Sequence, residues 1–343
     1  MNADERQMTN DFTNLVDLAA ERVGGAVLYA NDDFFAPKEN LLKASAPIFV
    51  EGKYTERGKW MDGWESRRRR TPGFDWCLIR LGLAGRVRGV VVDTSFFRGN
   101  YPESCSLEGC ASEGNPTVAD LTDETTEWVE ILSQSRLQGD SINPFAVSSN
   151  ERFTHLRFKI YPDGGVARLR VHGDVLPDWE RIKRAGGLVD LASVEYGGLV
   201  VATSDEFFGG RHNLIMPGRG RDMSDGWETK RRRGPGHDWC VVRLGAAGTI
   251  RRVEVDTAHF KGNYPESCSL EVANAPAGEA NEAALDSLQW RELLPRTRLQ
   301  AHARHFYERE LKDAGAATHA RFRIYPDGGV SRLRLYGEVS TDA

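Results

Sequence analysis

The sequence predicts a mainly β protein made of two tandem jelly-roll β-sandwich modules that are copies of one another. The first observation is a long internal repeat, since residues 62–108 recur at 225–271 with 33 of 47 positions identical and no gap. The second is a further match of residues 155–173 with 319–337, at 14 of 19 positions. The third is a pattern of short strands separated by glycine and proline turns, with little helix, which is typical of sandwiches. The two modules are therefore expected to be related by a pseudo-twofold internal duplication.

The repeat defines the predicted domains. Its unit of about 165 residues is a whole domain, well above the 20–50-residue period of solenoid repeats. The modules are expected at residues 11–173 and 187–339. Residues 174–186 contain Pro177 and many polar side chains, which predicts a linker. The first module has ten more residues than the second ahead of its Asp-Gly-Trp-Glu motif, which predicts a loop insertion there.

The first elements of each module follow from short patterns, taken in chain order. Residues 14–22 predict a short helix, because Gly24 and Gly25 follow and glycine favours the end of a helix. Residues 77–81 and 88–94 are short β-branched runs bounded by glycine, which predicts strands. The second module repeats these patterns, so the same elements are expected there.

The clearest strand pattern lies in residues 155–171 and predicts an antiparallel hairpin. Polar and apolar side chains alternate as far as Tyr161, Pro-Asp-Gly-Gly turns the chain, and the alternation resumes at Arg168. One face would then carry His155, Arg157, Lys159, Arg168 and Arg170. Like charges that face each other across strands are destabilising, so this face requires an anion. The candidates are Glu65, Asp93, Glu103, a partner domain or the bound substrate.

Composition argues against two classes of function. The formal net charge is −5, from 45 Lys and Arg against 50 Asp and Glu, which argues against nucleic-acid binding. No apolar run approaches the roughly 20 residues that span a bilayer, so no membrane partner is expected. Residues 1–10 are polar and do not resemble a secretory signal. None of the five cysteines has a C-x-x-C spacing, which gives zinc no support and favours reduced thiols in the cytoplasm.

Four motifs, each present in both copies, resemble those of the allantoicase family. They are Asp-Gly-Trp-Glu-x-x-Arg-Arg-Arg, Gly-x-Asp-Trp-Cys, Asp-Thr-x-x-Phe-x-Gly-Asn-Tyr-Pro-Glu-Ser-Cys and Tyr-Pro-Asp-Gly-Gly-Val. The resemblance covers nearly the whole chain. It implies two jelly-roll modules of the galactose-binding-like kind, and an enzyme of purine catabolism that hydrolyses allantoate to ureidoglycolate and urea.

The chemistry of allantoate defines the side chains that its site needs. Arginine suits its carboxylate, acids and amides accept its ureido N–H groups, and an acid–base pair activates water and protonates the leaving nitrogen. The catalytic candidates, kept in both copies, are Glu65, Glu228, His155, His319, Asp93 and Asp256. The substrate-binding candidates, also duplicated, are Arg68, Arg231, Arg157, Arg321, Asn100, Asn263, Glu103 and Glu266.

Structural alternatives stay open for these candidates. Glu65 and Glu228 are equally compatible with ion pairs to the arginine run that follows each of them, and that run is also typical of a solvated face. Asp93 and Asp256 suit structural partners of arginine, because a carboxylate that ends an apolar strand needs pairing. The asparagines equally suit turn geometry, and a histidine is more often structural than catalytic.

The remaining expectations concern cofactor, assembly and competing functions. If a metal takes part, oxygen ligands with a histidine would suit Mn or Mg, but the sequence leaves the cofactor unknown. Because the substrate has two alike arms and the protein two alike modules, we hypothesise a site at or near the module interface. A homo-oligomer is compatible with a charged sandwich face. The competing classes are a non-catalytic binding protein for a sugar or small polar ligand, and a structural oligomer component.

Overall fold

The computed structural model of the chain describes residues 12–112, 114–275 and 282–340. The chain divides into two compact units, Met1–Leu176 and Pro177–Ala343, which we call unit 1 and unit 2. Each unit holds one copy of the repeat. The segment expected to be a linker contains an α-helix, Trp179–Ala185, whose first turn is capped by the side chain of Asp178.

Strands are the main regular elements of unit 1. They are β1 Val16–Asp17, β2 Ala26–Ala30, β3 Tyr54–Thr55, β4 Gly58–Lys59, β5 Trp64–Glu65, β6 Asp75–Asp93, β7 Ser104–Cys110, β8 Val129–Arg136, β9 Ile142–Ala146, β10 Phe153–Tyr161, β11 Gly165–Val166 and β12 Arg168–Val175. Its helices are the 3-10 turns Phe12–Asn14, Glu21–Val23 and Lys38–Leu42, and α1 Val118–Thr122.

Unit 2 begins with the helix Trp179–Ala185, which is α2, and then repeats this strand order, except that its described residues contain no counterpart of β3 and β4. Its strands are β13 Val189–Asp190, β14 Leu199–Thr203, β15 Trp227–Glu228, β16 Asp238–Asp256, β17 Ser267–Ala273, β18 Arg291–Arg298, β19 Arg304–Tyr307, β20 Ala317–Tyr325, β21 Gly329–Val330 and β22 Arg332–Val339. Its other helices are the 3-10 turns Val194–Tyr196, Arg211–Ile215 and Met223–Asp225, and α3 Glu282–Asp286.

The 19-residue strand β6 belongs to both sheets of unit 1. Its first half lies between β2 and β10, and its second half lies between β9 and β12. The order β2-β6-β10-β7-β8 therefore forms a five-stranded antiparallel sheet, and β9-β6-β12-β1 forms a four-stranded one. β16 does the same in unit 2. These sheets confirm the predicted mainly β fold with two sandwich modules.

Apolar side chains of both sheets fill the interior of each sandwich. Leu156, Phe158 and Ile160 of β10 are fully buried, as are Leu169 and Val171 of β12. A smaller apolar cluster lies on the other face of the five-stranded sheet, where Leu121 of α1 packs with Leu78 and Cys110. In unit 2 the same place holds Ala202, Val241 and Leu285. We call this face, with its short α-helix, the outer face.

The Asp-Gly-Trp-Glu motif is kept in both units for a packing reason. The indole of Trp64 is completely buried and donates a 2.8 Å hydrogen bond to the carbonyl of Asp32. Trp227 makes the same 2.8 Å bond to Asp205. A Cβ on Gly63 would lie 2.5 Å from the carbonyl oxygen of Val166, so the close approach of β5 to β11 requires glycine there.

Two local predictions are wrong. Residues 14–22 form no single helix, because β1 and a 3-10 turn occupy them, although Gly24 does end that turn with a left-handed φ of 99°. Residues 155–171 form no hairpin, because β10 pairs with β6 and β7 while β12 pairs with β6 and β1. The Pro-Asp-Gly-Gly segment instead carries the chain from one sheet to the other.

The crowded basic face predicted for that hairpin is consequently wrong as well. Arg157 and Lys159 are both bonded to Glu108 of the adjacent strand β7. Arg168 lies on the other sheet and donates to the Asp62 carboxylate at 2.7 Å. Arg170 donates to the carbonyl of Lys43. Glu108 thus neutralises Arg157 and Lys159, and Asp62 neutralises Arg168. Arg170 forms a 3.7 Å ion pair with Asp17. None of these three acids was among the candidate anions.

Candidate active site

Several of the candidate residues meet at one end of each sandwich. In unit 1, Tyr161 at the end of β10 is paired with Ser104 at the start of β7, and Ile160 with Asp75 at the start of β6. Gly165 of β11 is paired with Glu65 of β5. The segments 62–75, 93–104 and 161–168 therefore lie together, and we call them the loop end of unit 1. The corresponding segments form the loop end of unit 2.

A glutamate–asparagine pair is the central feature of each loop end. The side-chain amide of Asn100 donates a 2.7 Å hydrogen bond to the Glu65 carboxylate. Asn263 donates to Glu228 in the same way. Burial raises the pKa of Glu65 above its ordinary value, against the opposing effect of the Asn100 hydrogen bond. The pKa of the Glu65 carboxyl therefore lies closer to neutral pH than that of a free glutamate side chain.

The arginine run beside each pair divides its side chains between two environments. Arg69 forms a 2.7 Å ion pair with the buried Asp75, and Arg232 pairs with Asp238 in unit 2. Arg68 and Arg231 are instead exposed. Across the described part of the chain neither of these two has an ion-pair partner, so each is free to bind an external anion. Asp75 and Asp238 are therefore structural ion-pair partners of one arginine in each run.

The other acids of the loop end have protein partners or lie in solvent. Asp93 is buried and accepts a 2.8 Å hydrogen bond from the backbone of Ser95. Asp256 is buried too and forms a 2.9 Å ion pair with Arg219. Glu103 is exposed.

Glu266 is exposed as well, and hydrogen bonds from Ser267 and Arg296 lower its pKa. Asp93, Asp256 and Glu266 are therefore engaged by protein groups in the segments beside the Glu–Asn pairs.

The two histidines lie away from the loop end. His155 is paired with Arg80 and Cys110, six residues along β10 from Tyr161, which is about 20 Å in an extended strand. It is 2% exposed, and burial followed by the charge of Arg80 lowers its pKa. His319 is equally remote, and burial followed by the charge of Arg243 lowers its pKa to about 4. The structure does not bring either histidine to the Glu–Asn pair.

Arg157 and Arg321 lie on the outer face, each between the histidine and the loop end of its unit. Arg157 bonds Glu108 at 2.6 Å and lies over the ring of Trp128, 4.6 Å from its centroid. Burial raises the pKa of Glu108, but hydrogen bonds from Lys159 and Arg157 outweigh it and the pKa is lowered. Arg321 has the same arrangement with Glu271 and Trp290. Glu108 and Glu271 end the long repeated block, so their identity in both copies was the signal that could have found them.

Two cavities adjoin these residues. In unit 2 a cavity of about 410 Å³ lies on the outer face, and its lining includes Arg321 and Trp290. In unit 1 the loop insertion helps to form an open groove of about 440 Å³, lined by Phe35, Ala36 and Arg57. Ala36 is hydrogen-bonded through its backbone to Glu65, so this groove lies beside the strand of the Glu–Asn pair.

No metal centre or membrane segment is found within the described ranges. Across residues 12–112, 114–275 and 282–340, no three His, Cys, Asp or Glu side chains come close enough to hold an ion together. In the same ranges no helix has the length and apolar character that crossing a bilayer demands.

The fold and the loop ends define a two-module β-sandwich protein in which a set of carboxyl, amide and guanidinium groups is repeated in both units. A model of the allantoicase repeat matches residues 16–176 and 189–340. The chain is 50% identical over 331 residues to a probable allantoicase of Photobacterium profundum, covering 95% of this chain and 97% of that one. It is 49% identical over 330 residues to one of Pseudomonas fluorescens, covering 96% and 98%.

A solved structure agrees with these relatives. The crystal structure of allantoicase from Saccharomyces cerevisiae matches with a TM-score of 0.82 and 35% identity, covering 98% of both chains. The chain belongs to the allantoicase family. It is therefore an enzyme, a hydrolase that acts on carbon–nitrogen bonds of linear amidines.

Proposed function

We infer that the chain hydrolyses allantoate to ureidoglycolate and urea, a step of allantoin breakdown in purine catabolism. Its match to allantoicases over nearly its whole length carries this conclusion. The reaction breaks one bond between the central carbon and a ureido nitrogen and forms a carbon–oxygen bond from water. The second proton of that water goes to the departing urea.

We propose that the Glu–Asn pair of the loop end handles this proton. The Glu65 or Glu228 carboxylate takes a proton from the attacking water and gives it to the leaving nitrogen. The raised pKa of Glu65 supports this role, because a carboxyl group that is too acidic would be a weak base and would hold the proton poorly. The repetition of the Glu–Asn hydrogen bond in unit 2 is the observation that supports the site most directly.

The neighbouring side chains fit the two ends of the substrate. Asn100 and Asn263 use their N–H groups on the glutamates, which leaves the amide oxygens for a ureido N–H. Arg68 and Arg231 follow three residues after the glutamates and are exposed, so their planar guanidinium groups suit the carboxylate. Several roles proposed from sequence stay predictions, namely those of His155, His319, Asp93, Asp256, Arg157, Arg321, Glu103 and Glu266.

Urea release from allantoate by Glu65→Gln and Glu228→Gln variants tests this site. Loss of an acid–base group lowers kcat about 10²- to 10⁴-fold. If a unit is catalytic, the glutamine variant of its glutamate should show a decrease in kcat of this size. Glu151→Gln, which changes an exposed glutamate, is the matched control and should keep full activity. Full activity in both loop-end variants would overturn the role of the pair. No urea release by the unmodified chain, with EDTA or with added Mn, would contradict the inferred function.

We also propose that the enzyme works in the cytoplasm and as a homo-oligomer. All five cysteines are buried and unpaired, which fits a reducing compartment. The half-buried charges of the outer face suit contacts between subunits. Mass measurement by light scattering tests the oligomer, and a monomer at micromolar concentration would contradict it. Fractionation of the source cells tests the compartment.

A further inference from the structure

The outer face of unit 2 contains a cavity that the described site does not use. It has a volume of about 410 Å³ and lies where Ala202 of β14, Trp239 of β16 and Arg321 of β20 adjoin Leu285 of α3. Pockets for small ligands begin at a few hundred cubic ångströms, so this one is large enough for a compact organic anion.

The cavity depends on a difference between the two copies. Ala202 is paired with Val241, and in unit 1 the equivalent partner of Leu78 is Tyr29. The ring of Tyr29 lies 5.3 Å from that of Trp76, so it covers the indole that corresponds to Trp239. In unit 2 the small side chain of Ala202 leaves this space open. A tyrosine side chain thus occupies in unit 1 the space that is open to a ligand in unit 2.

The wall of the cavity offers more hydrogen-bond donors than the protein uses. Arg321 and Arg323 both pair with one oxygen of Glu271, at 2.6 and 2.9 Å. Two guanidinium groups thus face a single carboxylate, and each has five N–H donors. Among the residues that the structure describes, the Nε of Arg323 is buried and has no hydrogen-bond partner. A buried donor without a partner is costly, and an anion in the cavity would satisfy it.

The remaining lining suits a flat, polar molecule with N–H groups. The indoles of Trp239 and Trp290 and the ring of His237 supply planar surfaces, and Arg321 lies over Trp290 at 4.4 Å from the centroid. Asp286 of α3 lines the cavity and is exposed. Because it has no ion-pair partner within the described ranges, its carboxylate is available to accept N–H donors from a ligand.

The pKa of His237 reflects the positive charges in the same wall of the cavity. Burial lowers the pKa of His237, and the charges of Arg323 and Arg232 lower it further against the opposing Asp238. The lowered pKa favours the neutral form of this imidazole. The unit 1 counterparts of His237 and Arg323 are Phe74 and Lys159, so the planar guanidinium fork at this point is also specific to unit 2.

We propose that this cavity of unit 2 binds a small planar carboxylate that carries a ureido group, held by Arg321 and Arg323 at the carboxylate and by Asp286 at the N–H groups. The choice of a ureido ligand rests on the inferred function, whereas the anion site rests on the cavity alone. The two copies of the module then differ in ligand binding, since Tyr29 occupies the equivalent space in unit 1.

The test uses N-carbamoylglycine, which has the carboxylate and one ureido group but no second ureido group to release. Calorimetric titration of the full chain should show one more binding site than the Ala202→Tyr variant, which rebuilds the unit 1 side chain in unit 2. Arg323→Met should weaken this site at least tenfold, and Tyr29→Phe, the matched control in unit 1, should leave it within twofold. Tryptophan fluorescence should change on binding and lose that change in Ala202→Tyr.

Identical titrations of the unmodified chain and a folded Ala202→Tyr variant would overturn the proposal, as would no binding at millimolar N-carbamoylglycine. If Ala202→Tyr does not fold by circular dichroism, Arg323→Met decides, and unchanged affinity in it overturns the proposal. Failure of the inferred function has a different signature. The chain would then release no urea from allantoate, although the Ala202-dependent binding of N-carbamoylglycine persists.

Discussion

Replacing Asp62 with alanine should destabilise unit 1 by about 3 kcal/mol, because it leaves the buried guanidinium of Arg168 without its counter-ion. Arg168 is 1% exposed and donates to Asp62 Oδ2 at 2.7 Å. Removing one partner of a buried pair costs about 3–5 kcal/mol. The lower end applies here, because the carbonyls of Ser45, Asp62 and Ala167 still accept from the guanidinium.

Differential scanning calorimetry gives the readout. For a unit of this size, about 3 kcal/mol lowers the melting temperature by about 6–12 °C. Asp225→Ala should do the same in unit 2, where Arg332 has the matching partners. Lys43→Ala is the control, since Lys43 is a partly exposed second partner of Asp62 at 3.4 Å and its loss should cost under about 1 kcal/mol. A shift for Asp62→Ala no larger than that of Lys43→Ala would refute the reasoning.

Acid provides a second readout of the same pair. Burial raises the pKa of Asp62, but the hydrogen bonds from Arg168 and Ile48 and the nearby charges outweigh it, so the pKa lies below its ordinary value of 3.8. A lowered pKa in the folded state means that the carboxylate stabilises the fold above the unfolded pKa. This contribution is lost as pH falls through the folded pKa. The Asp62→Ala variant should therefore lose less stability than the unmodified chain as the pH falls below 4.

Two further predictions concern buried titratable groups. The pKa of His319 is lowered to about 4, so the unfolded chain binds a proton first as pH falls, and stability should decrease between about pH 6.5 and 4. His319→Gln should flatten this dependence in urea titrations, and an unchanged slope would contradict it. Burial raises the pKa of the Cys110 thiol to about 11, and all five cysteines are buried. A thiol reagent at pH 8 should modify none of them in the folded chain within minutes and all five in denaturant; rapid native labelling would contradict this burial.

The repeat allowed the fold class to be predicted, since two copies of a strand-rich block specify two sandwiches. It did not reveal the sheet to which each strand belongs. The alternation in residues 155–171 is the same for a hairpin and for two strands of opposite sheets, because period-2 patterning records a buried face and not a partner. The Pro-Asp-Gly-Gly segment was therefore assigned the wrong role.

The candidate site was only partly accessible to sequence reasoning. The duplication singled out Glu65 and Asn100, and the structure joins them by a hydrogen bond. It also singled out His155, which lies on the same strand as Tyr161 but at the far end. Duplication records what the module needs, and it therefore singles out a buried residue far along a strand as readily as an acid of the loop end. Ala202 was missed because the cavity depends on a position at which the copies differ.

The long central strand has a consequence for how each module folds. Because β6 is an inner strand of both sheets, neither sheet can be completed until β6 has found partners from both ends of its module. These partners are distant in sequence, as when β1 and β12 pair across some 155 residues. Folding that depends on such distant pairings is slow, because the chain entropy is lost before the contacts form. We therefore expect each copy to fold slowly and as one cooperative block, without a stable state in which only one of its sheets is formed.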